Sequence, residues 1–284
     1  MYQEAHLQSF TNLRLAEESR RILRTETPLP QDESVVGNEV MTLRFFRGTI
    51  IWLDITASIT AGTSPSLFPS HISIIGPQSQ TRLETIMGCK NWVMVRIGRI
   101  AALHEQKCQA VQQGIFSATE FGQTAKDIGK DLQRDDAQAA MESLNICETH
   151  DTAGLDAKSD PPTLVTRLFA MMAPIYLHLI THGYQNLELA QTHLSETMEM
   201  LQSQSLQQVL PALVCPLFVI GSAASQSEEQ VFRDIFSSPP LLDPWPQHRG
   251  RILPILEDIW RTRRLKTTFT WEDSLDLAQN ILLI

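Results

Sequence analysis

The chain is poor in the residues that usually announce chemistry. Its four cysteines, at positions 89, 108, 147 and 215, lie too far apart for the short paired spacing of a zinc site. Thiols scattered through 284 residues fit a reducing compartment, where they serve as small buried hydrophobes. The 13 glycines form no phosphate-cradling loop, and there is no Gly-x-Ser-x-Gly elbow and no His-Glu-x-x-His helix. Positive charge is short: 23 basic residues face 32 acidic ones, a net charge of −9 that repels phosphate backbones and disfavours direct nucleic-acid binding. Residues 1–20 are polar and mixed in charge, so no leader is expected there. No apolar run reads as long enough to span a bilayer, and an intracellular location, cytoplasmic or nuclear, is expected.

What is present is hydrophobic patterning at the helical period. Hydrophobic residues make up 43% of the chain, enough for a substantial core. Residues 3–24 carry a rough apolar stripe, and Pro28 and Pro30 mark a linker, so residues 1–34 read as an N-terminal helix and linker before a single domain at 35–284. Residues 38–61 contain the strand-like Thr49-Ile-Ile-Trp-Leu-Asp-Ile. Val40, Leu43, Phe46, Ile50, Leu53 and Ala57 nevertheless step by three and four, which favours a helix buried on most faces and ending at Ala61-Gly-Thr-Ser-Pro65. A loop is expected over 66–79, a second buried helix over 80–105, a polar helix over 117–147 and an exposed loop over 148–162. Asp160 is a possible N-cap before Pro161 and Pro162. Further helices are expected over 163–182, 186–204, 227–236, 248–265 and 271–283, with Pro211 and Pro216 breaking the segment 206–224. No useful length alternates with period two. The expected fold is all-α, a single helical domain of about ten helices with room for an apolar interior cavity.

Few side chains suggest a site. Asp135-Asp136 resembles half of a magnesium-binding motif, but Ala139 stands where a further carboxylate is needed, so a solvated face is expected. His178 and His182, four apart with His193 beyond, have metal-like spacing. Gly183 ends that helix, where imidazole is favoured by the helix dipole alone, so no metal is expected. Asp54 inside an apolar segment must be capped, paired or exposed, with Arg44, Arg47 or Arg96 as candidate partners and projection into a cavity as the alternative. The run Arg261, Arg263, Arg264 and Lys266 reads as a solvated helix end rather than a nucleic-acid patch. Tyr176, His178 and Tyr184 flank the longest stripe, as core or with polar tips aimed at a ligand.

Several segments in order resemble one family. They are Trp52-Leu-Asp-Ile-Thr-Ala-Ser-Ile-Thr-Ala-Gly-Thr-Ser-Pro65, Met87-Gly-Cys-Lys with Ile97-Gly-Arg-Ile-Ala-Ala-Leu103, Pro174-Ile-Tyr-Leu-His178, Pro216-Leu-Phe-Val-Ile-Gly-Ser-Ala-Ala224, Ile255-Leu-Glu-Asp-Ile-Trp260 and Trp271-Glu-Asp. Together they resemble the fungal-specific transcription factor domain that lies downstream of binuclear zinc-cluster modules. Two positions depart from the pattern: Cys215 stands where tryptophan is usual, and Ser222 where cysteine is common. The cysteine spacing leaves no zinc cluster within this chain. Met1 and the helix after it fit a whole chain, and a piece of a longer factor is the alternative.

The resemblance implies a ligand-binding or regulatory domain tied to secondary metabolism, taking an apolar small molecule in a pocket with Trp52, Asp54, Trp92, Tyr176 and His178 as candidate lining. It also implies pairing as a homo- or heterodimer with related factors, without cofactor, membrane or direct nucleic-acid contact. The alternative is a scaffold reused as a cofactor-free cyclase, a pericyclase acting by proximity. Its candidate hydrogen-bond donors are Trp52, Tyr176, His178 and Tyr184.

Overall fold

The computed structural model describes residues 33–76, 79–148, 160–202, 204–242, 247–278, 281 and 283. The expected N-terminal helix over 3–24, the linker up to residue 32 and most of the 148–162 loop lie outside them; the last two linker residues, Glu33 and Ser34, open α1 instead. The described residues form eleven α-helices joined by short 3₁₀ turns, with no strand among them. The helices are α1 (Glu33–Ala61), α2 (Phe68–Ile75), α3 (Glu84–Met87), α4 (Asn91–Gln112), α5 (Ala118–Glu148), α6 (Pro161–His182), α7 (Gln191–Leu201), α8 (Val214–Ala223), α9 (Glu229–Phe236), α10 (Ile252–Leu265) and α11 (Trp271–Leu277).

Helix α6 is the axis, packing against α4, α5, α7 and α8. Contrary to the expectation that no run is long enough to cross a membrane, its 22 residues are long and apolar enough to do so. In the bundle, 72% of its most apolar window is buried, so core packing accounts for its composition. It starts as expected: Pro161 and Pro162 occupy the first turn, where their missing N–H groups cost nothing. Asp160 has extended backbone at the N-cap, but its carboxylate makes no capping bond and accepts instead from the Thr163 hydroxyl at 2.5 Å.

On one side, α4 carries α1 and α2. Helix α1 forms as its period demands and is buried or half-buried on all faces over residues 48–60, as expected, with its deepest stripe beside the stepping one. Ile51, Trp52, Ile55 and Ile59 point inward, whereas Phe46 is 52% exposed. Both faces are apolar, so the period alone could not choose between them. The predicted loop 66–79 instead contains α2, which tolerates Pro69 in its first turn and buries Phe68, His71 and Ile75 at helical spacing. The predicted single helix over 80–105 is split. Gly88 takes a left-handed φ of 77°, and a side chain there would meet Val165 at 3.2 Å. Thr166 of α6 fills the break, its hydroxyl bridging the Lys90 N–H and the Gly88 carbonyl.

On the other side, α10 packs on α8, α9 and α11. Every residue of α8 is buried, as expected of a helix apolar all round. Pro211 and Pro216 have the predicted effect: 3₁₀ turns over Gln204–Gln208 and Leu210–Leu213 precede the regular helix. Gly221 leaves room for the Phe232 ring, which would lie 2.9 Å from an added Cβ. The Gly221 carbonyl accepts from the Trp260 indole N–H at 2.7 Å. Pro-Leu-Phe-Val-Ile-Gly and Glu-Asp-Ile-Trp are thus two halves of one packing contact.

Charged residues complete the frame, in places against expectation. Arg96 does not pair with Asp54; it reaches Asp131 and Asp135 at 2.7 Å each, tying α4 to α5, so Asp135 is a structural partner and only Asp136 faces water. The Asp54 carboxylate accepts from the backbone N–H groups of Ser66 and Leu67 at 3.2 Å, holding the entry to α2. The basic run on α10 is also partly consumed. Arg263 donates to the carbonyls of Ser222 and Ala224 at the end of α8, and Arg264 pairs with buried Glu229. Arg261 pairs with Asp258 at 2.5 Å on the exposed face.

Candidate functional site

Two regions around the C-terminal half of α6 concentrate polar chemistry. The first is enclosed. Helix α11 begins with a capping box in which Thr270 and Asp273 satisfy each other's backbone N–H groups, orienting Trp271 and Glu272 inward. Trp271 is fully buried, with ring centroids 5.7 Å from Tyr176 and 6.5 Å from Phe218. Glu272 Oε1 accepts from Lys107 Nζ at 2.8 Å and lies 3.3 Å from His104 Nε2. Burial opposes ionisation of Glu272, but those hydrogen bonds from His104 and Lys107 prevail and hold its carboxyl well below the usual carboxylate range.

This enclosed region contains the described residues best placed to hold a metal. Donor atoms of His104, Cys108 and Glu272 all lie within 4.8 Å of one another. The donor set argues against a divalent ion: Lys107 already neutralises Glu272, and burial, followed by Glu272 itself, pushes the Cys108 thiol up and away from the thiolate a metal needs. Tyr176 hydroxyl and Trp271 Nε1 are buried here without hydrogen-bond partners.

The second region is an open groove of about 580 Å³ between the end of α4, the start of α5, α6 and the 3₁₀ turn Leu187–Ala190 with α7. Pro174, Leu177, Phe121 and Ala125 form an apolar lining, and Lys107, Lys126, His178, His182 and His193 supply its polar groups. His178 and His182 stack with ring centroids 4.9 Å apart and planes 23° apart. His178 Nε2 is 2.8 Å from the Gln185 carbonyl, which fixes that nitrogen as the donor. Burial lowers the His178 pKa and outweighs the opposing Gln185 hydrogen bond, so the ring is neutral near pH 7. The stacked rings and His193 do not converge on a point; no metal cluster forms from them among the described residues.

The residues singled out from sequence are therefore dispersed. His178 alone among the five pocket candidates lines the groove. Tyr176 is in the enclosed centre, and burial pushes its phenol far above the ordinary range. Tyr184 stacks on Phe269 with its hydroxyl 2.7 Å from Ser274 Oγ; burial pushes it up to about 12. Trp52 is buried on α1 with its indole N–H unpartnered, and Trp92 is half-buried at the start of α4. Asp54 holds the α2 entry, with His71 Nε2 at 3.5 Å. That separation and its alignment make no hydrogen bond, and burial lowers the His71 pKa, so the ring is neutral. Of the four proposed cyclase donors, His178 lines this groove, and Trp52, Tyr176 and Tyr184 are not among its lining residues. Sequence reasoning missed Lys107, Lys126, Phe121 and Leu177. The signal available was Phe121 and Ala125, four apart near the start of the polar helix expected over 117–147.

The described residues form an all-α helical domain. Residues 6–284 match the model of the fungal specific transcription factor domain, and the chain belongs to that family. It is 40% identical over 96% of its length to pestheic acid cluster transcriptional regulator 3 of Pestalotiopsis fici, covering 49% of that protein. It is 30% identical over 81% of its length to a transcription factor of Pestalotiopsis microspora, covering 39%. It is 26% identical over 82% of its length to a trichothecene biosynthesis transcription regulator of Fusarium sporotrichioides, covering 52%. The chain thus spans about half the length or less of these curated relatives. No solved structure matches it.

Proposed function

We propose that this chain is the regulatory region of an intracellular transcription regulator controlling a secondary-metabolite gene cluster, with an apolar small molecule as its signal. The observation that carries the reading is the 40% identity to a cluster regulator over nearly the whole chain. The groove beside α6 supports the signal, since its volume and mostly apolar lining are those of a small-molecule site. The chain's net charge of −9 and the structural use of Arg263 and Arg264 favour output through another polypeptide segment or a partner, a second copy or a related factor, rather than direct contact with DNA by this domain.

Deletion of the gene in its native fungus tests the proposal by transcript profiling. Expression of one contiguous set of biosynthetic genes should fall and should return on complementation. Unchanged transcripts of every neighbouring biosynthetic gene, under conditions in which the regulator is itself expressed, would overturn it.

A further inference from the structure

We propose that the groove selects an apolar molecule bearing an acidic group, an aromatic carboxylate, sulfonate or phenolate, over a neutral one of the same shape. This rests on the ligand-binding reading above and specifies its chemistry.

Charge complementarity carries the inference. The chain has nine more acidic than basic residues, yet the groove lining holds two lysines and not one aspartate or glutamate, so its positive charge rests on Lys107 and Lys126, with neutral His178 adding none. Lys107 is anchored by Glu272 and by the Ile180 carbonyl, so it presents a fixed, partly neutralised positive end beneath the groove. Lys126 differs. On the same helix, Lys130 is tied to Asp127 and Arg134 to Asp131, whereas Lys126 is exposed at the groove rim with no described carboxylate within ion-pair distance. Exposed His182 and half-buried His193 add imidazoles on the other two walls.

The apolar walls and the basic rim divide the work. Burying a ring against Leu177, Pro174 and Phe121 supplies attraction that does not depend on charge. An acidic substituent held at the rim keeps part of its hydration while facing Lys126, which adds attraction and orients the ring inward. A neutral analogue loses the second contribution and keeps the first. Gly122 marks the way in: it lines the groove on α5, and a Cβ built there meets no atom within 4 Å. A large side chain at that position occupies the space a ligand needs without displacing the protein.

The test uses two probes with the same ring system, anionic 1-anilinonaphthalene-8-sulfonate and neutral N-phenyl-1-naphthylamine. Each is titrated by fluorescence into the full chain, with circular dichroism and a cooperative melt verifying the fold of every variant. The sulfonate should bind about fivefold or more tightly than the neutral dye, the worth of roughly one partly screened charge contact. Lys126→Glu should weaken the sulfonate by at least that factor and leave the neutral dye within about twofold. Gly122→Phe should abolish saturable binding of both with a melt no lower than wild type. Equal affinities and no effect of Lys126→Glu, with Gly122→Phe still blocking both dyes, would overturn the acidic preference and leave the groove as a ligand site. Binding of both dyes unaffected by Gly122→Phe, or no binding of either, would overturn the preference and the groove together.

Discussion

Tyr176 and His178 are two residues apart on α6, and a helix turns about 200° over that interval, so they face nearly opposite sides. Tyr176 meets Trp271 in a region closed to water, with its hydroxyl unpartnered. His178 meets a groove open to solvent, with one ring nitrogen committed to the Gln185 carbonyl. One helix therefore separates two tasks. Its inner side fixes the C-terminal helix and gains from complete burial. Its outer side leaves apolar surface and imidazoles unfilled, at some cost in stability. If that division holds, changes on the inner side alter folding, and changes in the groove alter binding alone.

The largest effect tests the inner side. Trp271→Ala removes a fully buried indole that touches Tyr176 and Phe218, and should cost about 3–5 kcal/mol in a urea denaturation series. A loss below about 1 kcal/mol would show that α11 is a loosely attached appendage and would dissolve the comparison.

Such contrasts were partly legible in sequence. The period of residues 38–61, the Pro161-Pro162 start and the Trp271-Glu-Asp motif all describe local chemistry, and the structure gives each a local cause: an apolar face, a free first turn, a capping box. Which face of α1 is buried most deeply was not legible, because Ile51 and Ile55 compete with Ile50 and Leu53 on sequence alone. Gly88 splitting a predicted helix required knowing that Val165, nearly eighty positions later, would crowd any side chain there. The groove was the least legible part. It joins Lys107, Phe121, His178 and His193 from four elements, and no sequence spacing encodes their meeting. The candidates chosen for aromatic or acidic character were the residues the core most needed, which is why Trp52, Tyr176 and Asp54 do structural work.

The link between the two regions is next in size. Glu272 lies in the inner network, but its partner Lys107 also lines the groove. Glu272→Gln should cost about 1–2 kcal/mol at pH 7, a charged hydrogen-bond pair discounted for a side chain 34% exposed. The sign with pH follows from its depressed carboxyl pKa. The wild-type contribution is full above the unfolded value of about 4.3 and fades as pH falls below it toward the folded value. The stability difference between wild type and variant, measured by denaturant at pH 7, 5 and 3.5, should therefore be constant between the first two and shrink at the third. A difference that grows on acidification would mean the carboxylate is not stabilised by Lys107 and His104.

The smallest effect probes the groove for its cost to the fold. Gly122 sits in a long helix without positive φ, so nothing in its backbone requires glycine. Glycine inside a helix costs up to about 1 kcal/mol relative to alanine, through the backbone freedom lost on folding. The Cβ that alanine adds meets no atom within 4 Å. Gly122→Ala should then raise stability by about 0.5–1 kcal/mol, read as a higher urea midpoint with unchanged slope. One methyl group is small beside a cavity of about 580 Å³, so binding of the anionic dye should stay within about twofold. The pair of readouts separates two reasons for a glycine in the wall. Stability gained with binding kept means that this wall contributes little to the fold and that the space beyond it is deep. Stability gained with binding lost means that Gly122 is itself the point of closest approach, and the ligand lies flat against the α5 backbone instead of down the Leu177 wall.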